Sequence, residues 1–527
     1  MTRHATAAIL LTVMILGQPL RAQQTKPATQ PTNISGLWLT NVGLMELEQT
    51  NDKVKGRYAL MGTSEIKGTV AGNRFDFTFK SFNRGKGSFD FSSDGQTFTG
   101  SAKATGFPKS DPWKGRRAPE FVRHVKLVPG KMLDGSTDNL LTYAIRAPEG
   151  CRDGDNKKWP TIVILHGSNM NARAYVNTLA AAWPDIAKDF LILGINGETP
   201  SALGDTKEKE PAFNYTYVDF VGKSTFKGFP GTDRESPALV SEALAELRKV
   251  YPIDRYFVGG HSQGGFLTYS LLMNFPEQLS GAFPISAGVI FQCEPSAFTD
   301  EKVKAAQRSV PLVIVHGKQD PNVSFSSGQY AATLFGESNW PAFRFIADDS
   351  GAGHRFGLLP VNKAIRWLEA QASDDPNKLL DFAEKSFQEK HYRDAFAALK
   401  RARDLTPETA SHDRLDQVTK KLDAAAKPGA AKFLPLVTAH KDKTWIDGFL
   451  AYRDDFEFAP SAGEVMKAFI ALRLEHEDAA KKAMDESRSA FQSGNRDGGY
   501  AKYKEIVDQW YAASLYRTAK RWLAERK

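Results

Sequence analysis

Ser262, set in the run "GGHSQGG" from Gly259 to Gly265, is the residue of this chain best placed for nucleophilic chemistry. A serine hydroxyl attacks a carbonyl efficiently only when a neighbouring base removes its proton. Locally, Ser262 follows the apolar stretch "RYFVGG" and precedes "FLTYSLLMNF", which reads as a helix. A G-x-S-x-G pentapeptide between strand and helix is the pattern of a sharp turn that lifts the serine above a sheet. Gly260 and Gly264 stand two residues to either side, where side chains would collide across such a turn. Gly265 gives the helix room to approach the sheet, and the helix N-terminus adds positive potential beneath a developing oxyanion.

The partners of such a serine follow it in the order acid, then histidine. Asp320 comes after the apolar stretch "PLVIVHG", and His354 lies in "SGAGHRFG" after "FRFIADD". Both therefore leave strand ends on the edge where open α/β sheets bind ligands. His354 is the expected base and proton donor, and Asp320 the group that fixes its tautomer. Asp348 and Asp349 compete for the acid role but are too near His354 in sequence to reach its far side. An oxyanion needs two backbone N–H donors. Gln263 is expected to give one, and either Ser168 or Asn169, in "LHGSNMNA", the other. His166 and His316, at strand ends before glycine, read as structural, and His261 is expected to point away from substrate. His124, His391, His412, His440 and His476 read as surface or packing residues. The sequence has no metal-ligand spacing and no nucleotide fingerprint, so neither a metal nor a cofactor is expected.

These residues need a sheet to hold them. Over residues 118–372, apolar strands such as "TIVILHG" and "DFLILGING" alternate with amphipathic runs such as "PALVSEALAELRKVY". That alternation predicts a mostly parallel sheet with helices on both faces. The stretch Gly197–Ser236 is polar and rich in Gly and Pro, and reads as a surface insertion near the site. Residues 34–117 alternate apolar and polar positions in short runs parted by turns, which predicts a small antiparallel β meander or barrel. Residues 374–527 are strand-poor and rich in Ala, Lys, Glu and Asp, predicting an α-helical domain. There "NKLLDFAEKSFQEKHYRDAFAALKRARDLTPE" resembles a tetratricopeptide unit, and "AFQSGNRDGGYAKYKEIV" echoes it about a hundred residues later. A protein or glycan partner for the flanking domains and plain packing both fit these patterns.

Residues 1–22 read as a secretory signal peptide, with Arg3, a short apolar run and a small residue at Ala22. Residues 23–33 read as a polar linker, and a secreted or periplasmic location follows. Loss of Arg3 and Arg21 would lower the formal charge from +8 to +6. With no basic stripe of interleaved aromatics, nucleic acid is excluded as a partner, and no stable membrane span is expected. Cys151 and Cys293 are the two cysteines; a disulfide between them and two separate buried thiols both remain open.

The motifs "LHGSNMN", "YPIDRYFVGGHSQGG", "VIVHGKQDPNV" and "GAGHRF" resemble those of α/β-hydrolase esterases. The likeness is to the secreted group related to polyhydroxybutyrate depolymerases and feruloyl or acetylxylan esterases. It covers about half the chain and implies ester hydrolysis through an acyl-serine intermediate. The usual glycine-rich continuation of "LHG" is replaced here by Ser168 and Asn169. A serine peptidase of the prolyl-oligopeptidase type and a catalytically idle hydrolase scaffold are the alternatives.

Overall fold

The computed structural model describes residues 32–59, 63–81, 83–151, 156–204, 210–215, 236–289, 306, 310–338, 340, 342–407, 412–440 and 442–525. The segment read as a signal peptide, nearly all of the stretch read as a linker, and Cys293 lie outside these residues, while Cys151 is buried. Among the described residues no helix is long and apolar enough to cross a membrane.

The β-rich front is a closed antiparallel barrel of eight strands, from β1 (Gly36–Thr40) to β8 (Asp111–Arg117). The alternation in the sequence sends one side chain in two inward. The interior is packed with rings: Phe89 stacks on Phe98 at 4.2 Å and on Trp113 at 5.5 Å, and Trp38 meets Phe91 edge-on at 5.0 Å. Gly87 makes room for them, since a Cβ there would lie 2.4 Å from the Phe77 ring.

The central sheet has the order β18-β17-β16-β15-β11-β12-β10-β9. Its strands are β9 (Met132–Ser136), β10 (Thr142–Arg146), β11 (Trp159–Leu165), β12 (Leu191–Ile195), β15 (Ile253–His261), β16 (Gly281–Ile285), β17 (Leu312–Gly317) and β18 (Phe343–Asp348). The six strands from β18 to β12 run parallel, whereas β9 and β10 are antiparallel to their neighbours. The expected sheet is therefore only partly parallel. Its antiparallel edge escaped the sequence because β9 and β10 are short and join by a turn rather than a helix.

On β11, Ile162 and Ile164 face one layer, with α1 (Ala172–Ala182) and α6 (Val361–Gln371). Val163 and Leu165 face the other, with α3 (Ser236–Val250), α4 (Gln263–Asn274) and α5 (Phe325–Glu337). Two covered faces are why these strands read as unbroken apolar runs. A two-stranded hairpin, β13 (Thr199–Ala202) and β14 (Ala212–Asn214), interrupts the crossover from β12 to α3.

In the helical tail, α7 (Pro376–Gln388) and α8 (Tyr392–Leu405) form one hairpin. The later hairpin joins α11 (Gly463–Gln492) to α12 (Arg496–Gln509). Their turns match: Lys390 and Gly494 are left-handed, at φ 61° and 82°, before His391 and Asn495 at φ −90° and −80°. Between and after these hairpins come α9 (Asp413–Ala439), α10 (Ile446–Phe456) and α13 (Tyr516–Glu525). Glu337, at the end of α5, accepts two hydrogen bonds from Arg453 of α10, at 2.6 and 2.8 Å, and one from Arg473 of α11 at 2.6 Å. These buried ion pairs fasten the tail to the central sheet and its helices.

Candidate active site

Ser262 is the corner between β15 and α4, at φ 55° and ψ −117°. A non-glycine residue in this region is strained, by about 1–3 kcal/mol, and such corners cluster at functional sites. The corner is held by its backbone. Ser262 N–H donates to Ile285 O at 3.0 Å, Gly264 N–H to His166 O at 3.0 Å, and Gly265 N–H to Ser262 O at 2.9 Å. The glycines are steric clearances. A Cβ on Gly260 would lie 2.3 Å from Gly264 backbone atoms, one on Gly264 2.3 Å from Leu165 O, and one on Gly265 2.6 Å from Ala287 Cβ.

Asp320 lies in the turn after β17, with its own N–H donating to Gly317 O at 3.2 Å. Its carboxylate accepts from the N–H groups of Asn322 and Val323, both at 2.9 Å on Oδ1, and from His354 Nδ1 at 2.7 Å on Oδ2. Burial alone would raise its pKa, but these donors outweigh it and hold the carboxyl down at about 2. The bond to an ionised Asp320 makes Nδ1 the protonated nitrogen of His354 and leaves Nε2 as the acceptor. His354 comes off β18, so Ser262, Asp320 and His354 share the carboxyl edge of the parallel strands. The His354 ring lies 4.4 Å from the ring of His261, the residue beside the serine, and Phe356 pins its loop against Tyr175 at 4.8 Å. The hydrogen bond between side chains of this trio is the one from His354 Nδ1 to Asp320.

The loop after β11 runs alongside, with a Cβ on Gly167 placed 3.5 Å from Ser262 Cβ. Ser168 and Asn169 are exposed at its tip, and the N–H of Asn169 donates to Asn214 Oδ1 at 2.9 Å. Gln263 is the first residue of α4, where an N–H has no acceptor within the helix. Asp348 accepts from the hydroxyl of Ser350 and Asp349 pairs with Lys318, so neither is the acid bonded to His354.

The other histidines are supports. His166 is buried, donates from Nδ1 to Gly167 O at 2.8 Å and accepts at Nε2 from Gly197 N–H at 3.1 Å. Burial pushes its pKa down to about 4. His261 is buried beside His354; burial, then the neighbouring His354, push its pKa down to about 3, and its Nδ1 meets Tyr175 Oη at 2.6 Å. His316 stands behind Asp320, its Nε2 bonding Val323 O at 3.0 Å. Sequence reasoning missed Tyr175, Asn214 and Tyr215, which no motif marks.

Among the described residues one cluster could bring ligand atoms together for a metal: His124, Asp138 and Glu246, within 4.8 Å of one another. Its groups are already engaged. Glu246 takes His124 Nε2 at 2.5 Å and the N–H of Asp138 at 2.9 Å, while Arg123 faces the Asp138 carboxylate at 3.4 Å.

Residues 151–345 match the family model described as phospholipase/carboxylesterase. That segment holds Ser262 and Asp320 and ends nine residues before His354. The sheet-bearing segment is thus similar to that family, with an α/β-hydrolase-like fold. An acyl-protein thioesterase 1 of Cryptococcus neoformans is 22% identical over 169 residues, 32% of this chain and 69% of that protein. Similar solved structures include a thermostable esterase (15% identity, 64% of this chain and 93% of that chain, TM-score 0.34). Another is SOBER1 of Arabidopsis thaliana (21% identity, 40% and 97%, TM-score 0.30). A ferulic acid esterase is a third (14% identity, 46% and 97%, TM-score 0.34).

Proposed function

We propose that the protein is a serine hydrolase of carboxylic esters, working through an acyl-enzyme on Ser262. One observation carries this reading. A strained serine at a strand–helix corner shares a sheet edge with a buried aspartate bonded to a histidine at 2.7 Å. Ser262 Oγ attacks the ester carbonyl while His354 Nε2 takes its proton. The oxyanion is held by the N–H of Gln263 and that of Ser168, since the N–H of Asn169 is engaged by Asn214. His354 then protonates the leaving alcohol as the carbon–oxygen bond breaks. Water attacks the acyl-serine, gives its proton to His354, and the acid leaves as that proton returns to Ser262 Oγ. Asp320, ionised well below neutral pH, stabilises the imidazolium in both halves. No step calls for a cofactor.

Polymer side esters and polyesters are the proposed substrates of a secreted or periplasmic enzyme, with a thioester as the variant suggested by the thioesterase relative. The helical tail is proposed to be tetratricopeptide-like. Hydrolysis of p-nitrophenyl esters of rising chain length, run beside Ser262→Ala, tests the reading. We expect activity in the parent and a loss of at least about 10⁴-fold in the variant. Equal rates in the two proteins would refute it.

A further inference from the structure

We infer that Asn214 and Tyr215, at the end of the β14 hairpin, are positioning residues that set the oxyanion loop and tie it to the barrel. The inference rests on the serine-hydrolase reading of the site.

Three consecutive residues bind two separate pieces of the site: Phe213 and Asn214 the loop after β11, and Tyr215 the start of α4. Phe213 N–H donates to Met170 O at 2.8 Å, extending the hairpin onto the loop after β11. Asn214 forms a reciprocal amide pair with Asn169: Oδ1 accepts its backbone N–H and Nδ2 donates to its side-chain Oδ1, both at 2.9 Å. Asn169 sits at φ 57°, a conformation that asparagine tolerates and that this pair holds in place. Tyr215 grips the other half of the hole. Its N–H donates to Gln263 Oε1 at 3.1 Å and its carbonyl accepts from Gln263 Nε2 at 3.3 Å. Its buried hydroxyl accepts from His166 N–H at 3.1 Å and donates to Ile195 O at 2.6 Å, joining the ends of β11 and β12. The ring lies on His166 at 4.4 Å.

The two proposed oxyanion donors, Ser168 and Gln263, lie on separate elements, and their spacing must match one oxygen. Asn214 and Tyr215 are bonded to the neighbour of the first and the side chain of the second. They are themselves anchored outside the hydrolase core. Phe213 is buried in a cluster with Leu39, Leu44 and Ala59 of the barrel's outer face, and Arg116 of β8 donates to Leu203 O in the hairpin at 2.7 Å. The barrel thus acts on the site through this hairpin.

The test is the rate of phosphonylation of Ser262 by an alkyl fluorophosphonate, followed by intact mass on the full chain. This probe reports the hole without depending on the acyl group. We expect Asn214→Ala and Tyr215→Phe to lower the maximal labelling rate about tenfold, with half-saturating probe concentration unchanged within twofold. A defect of folding alone would instead reduce the fraction labelled. Unchanged maximal rates in both variants overturn the inference, as does a rise in half-saturation alone. Should Asn214→Ala fail to fold, the milder Tyr215→Phe, which keeps the ring on His166, decides. A folded parent that is never labelled at Ser262 refutes the serine-hydrolase reading, an outcome distinct from unchanged rates in the variants.

Discussion

Replacing Glu337 with glutamine should loosen the helical tail, by an amount the structure allows to be worked out. The carboxylate is buried, with side-chain exposure of 6%, and is bonded by Arg453 and Arg473, exposed by 3% and 14%. Burial acts to raise its pKa, but the charges of Arg453, Arg473 and Arg517 prevail and hold it down at about 2, against an ordinary 4.5. At 1.36 kcal/mol per unit, that shift corresponds to about 3 kcal/mol favouring the ionised form in the folded state. Glutamine keeps the shape but removes the charge, and it turns an amide nitrogen toward a guanidinium. Breaking one partner out of a buried ion cluster costs about 3–5 kcal/mol, because the remaining charges are left uncompensated. Urea unfolding at pH 7 should therefore show Glu337→Gln less stable by about 3 kcal/mol. The sign of the pH dependence is fixed. A carboxyl with a depressed folded-state pKa stabilises fully above its unfolded value and loses that contribution as pH falls through 4.5 toward 2. The gap between parent and variant should close over that window. A variant within about 0.5 kcal/mol of the parent at pH 7, the range of ordinary surface changes, would refute the idea that this cluster clamps the tail.

The strand–helix corner at Ser262 makes its own demand. Gly264→Ala puts a methyl 2.3 Å from Leu165 O on a central strand, and we expect a loss of at least about 3 kcal/mol in thermal or urea unfolding. Gly463→Ala, where nothing lies within 4 Å, should be neutral or slightly stabilising in the same assay. The buried histidines predict an acid limit to stability. With folded-state values pushed down to about 4 for His166 and about 3 for His261, their contribution is full above 6.5 and is lost as pH falls below it. Urea midpoints should be flat from pH 7 to 8 and fall between 6 and 5, as the unfolding free energy drops by up to about 3 kcal/mol per pH unit for the pair. Midpoints that stay level down to pH 5 would show that these rings accept protons without penalty.

The sequence was most legible where local chemistry and global fold agree. Gly260, Ser262 and Gly264 are constrained within five residues by one turn, so their spacing carried the corner on its own. Asp320 and His354 were readable because each follows a run of Val, Ile or Phe that can only be a covered strand. Asn214 and Tyr215 carry no such mark. Their roles depend on a hairpin folding back across a gap of 45 residues to Asn169, and nothing in "AFNY" distinguishes it from a polar loop. The contact of His261 with His354 was hidden for a related reason. Alternation along β15 turns the His261 side chain into the interior, and the loop bearing His354 comes round to meet it, a tertiary contact that alternation cannot express.

The two flanking domains make sense as supports for opposite sides of the proposed machinery. An eight-stranded barrel has an interior just wide enough for side chains or one small ligand, and here aromatic rings occupy it. Its value to the site therefore lies on its outer face, where Leu39 and Leu44 pack against the hairpin that holds the oxyanion loop. At the other side, β18 is the last strand of the sheet and the one from which the loop bearing His354 departs. An uncovered edge strand is free to fray or to pair with another chain. The tail covers it: Arg344 of β18 faces Asp394 of α8 at 3.6 Å, and Arg393 donates to Trp340 O, just before the strand, at 2.8 Å. Glu337, at the end of the helix that leads into β18, takes the arginines of α10 and α11. Loosening the tail should then be felt at the proposed base, His354, and loosening the barrel at the proposed oxyanion hole, because the tail is bonded to the strand that leads to His354 and the barrel to the hairpin that holds the loop after β11.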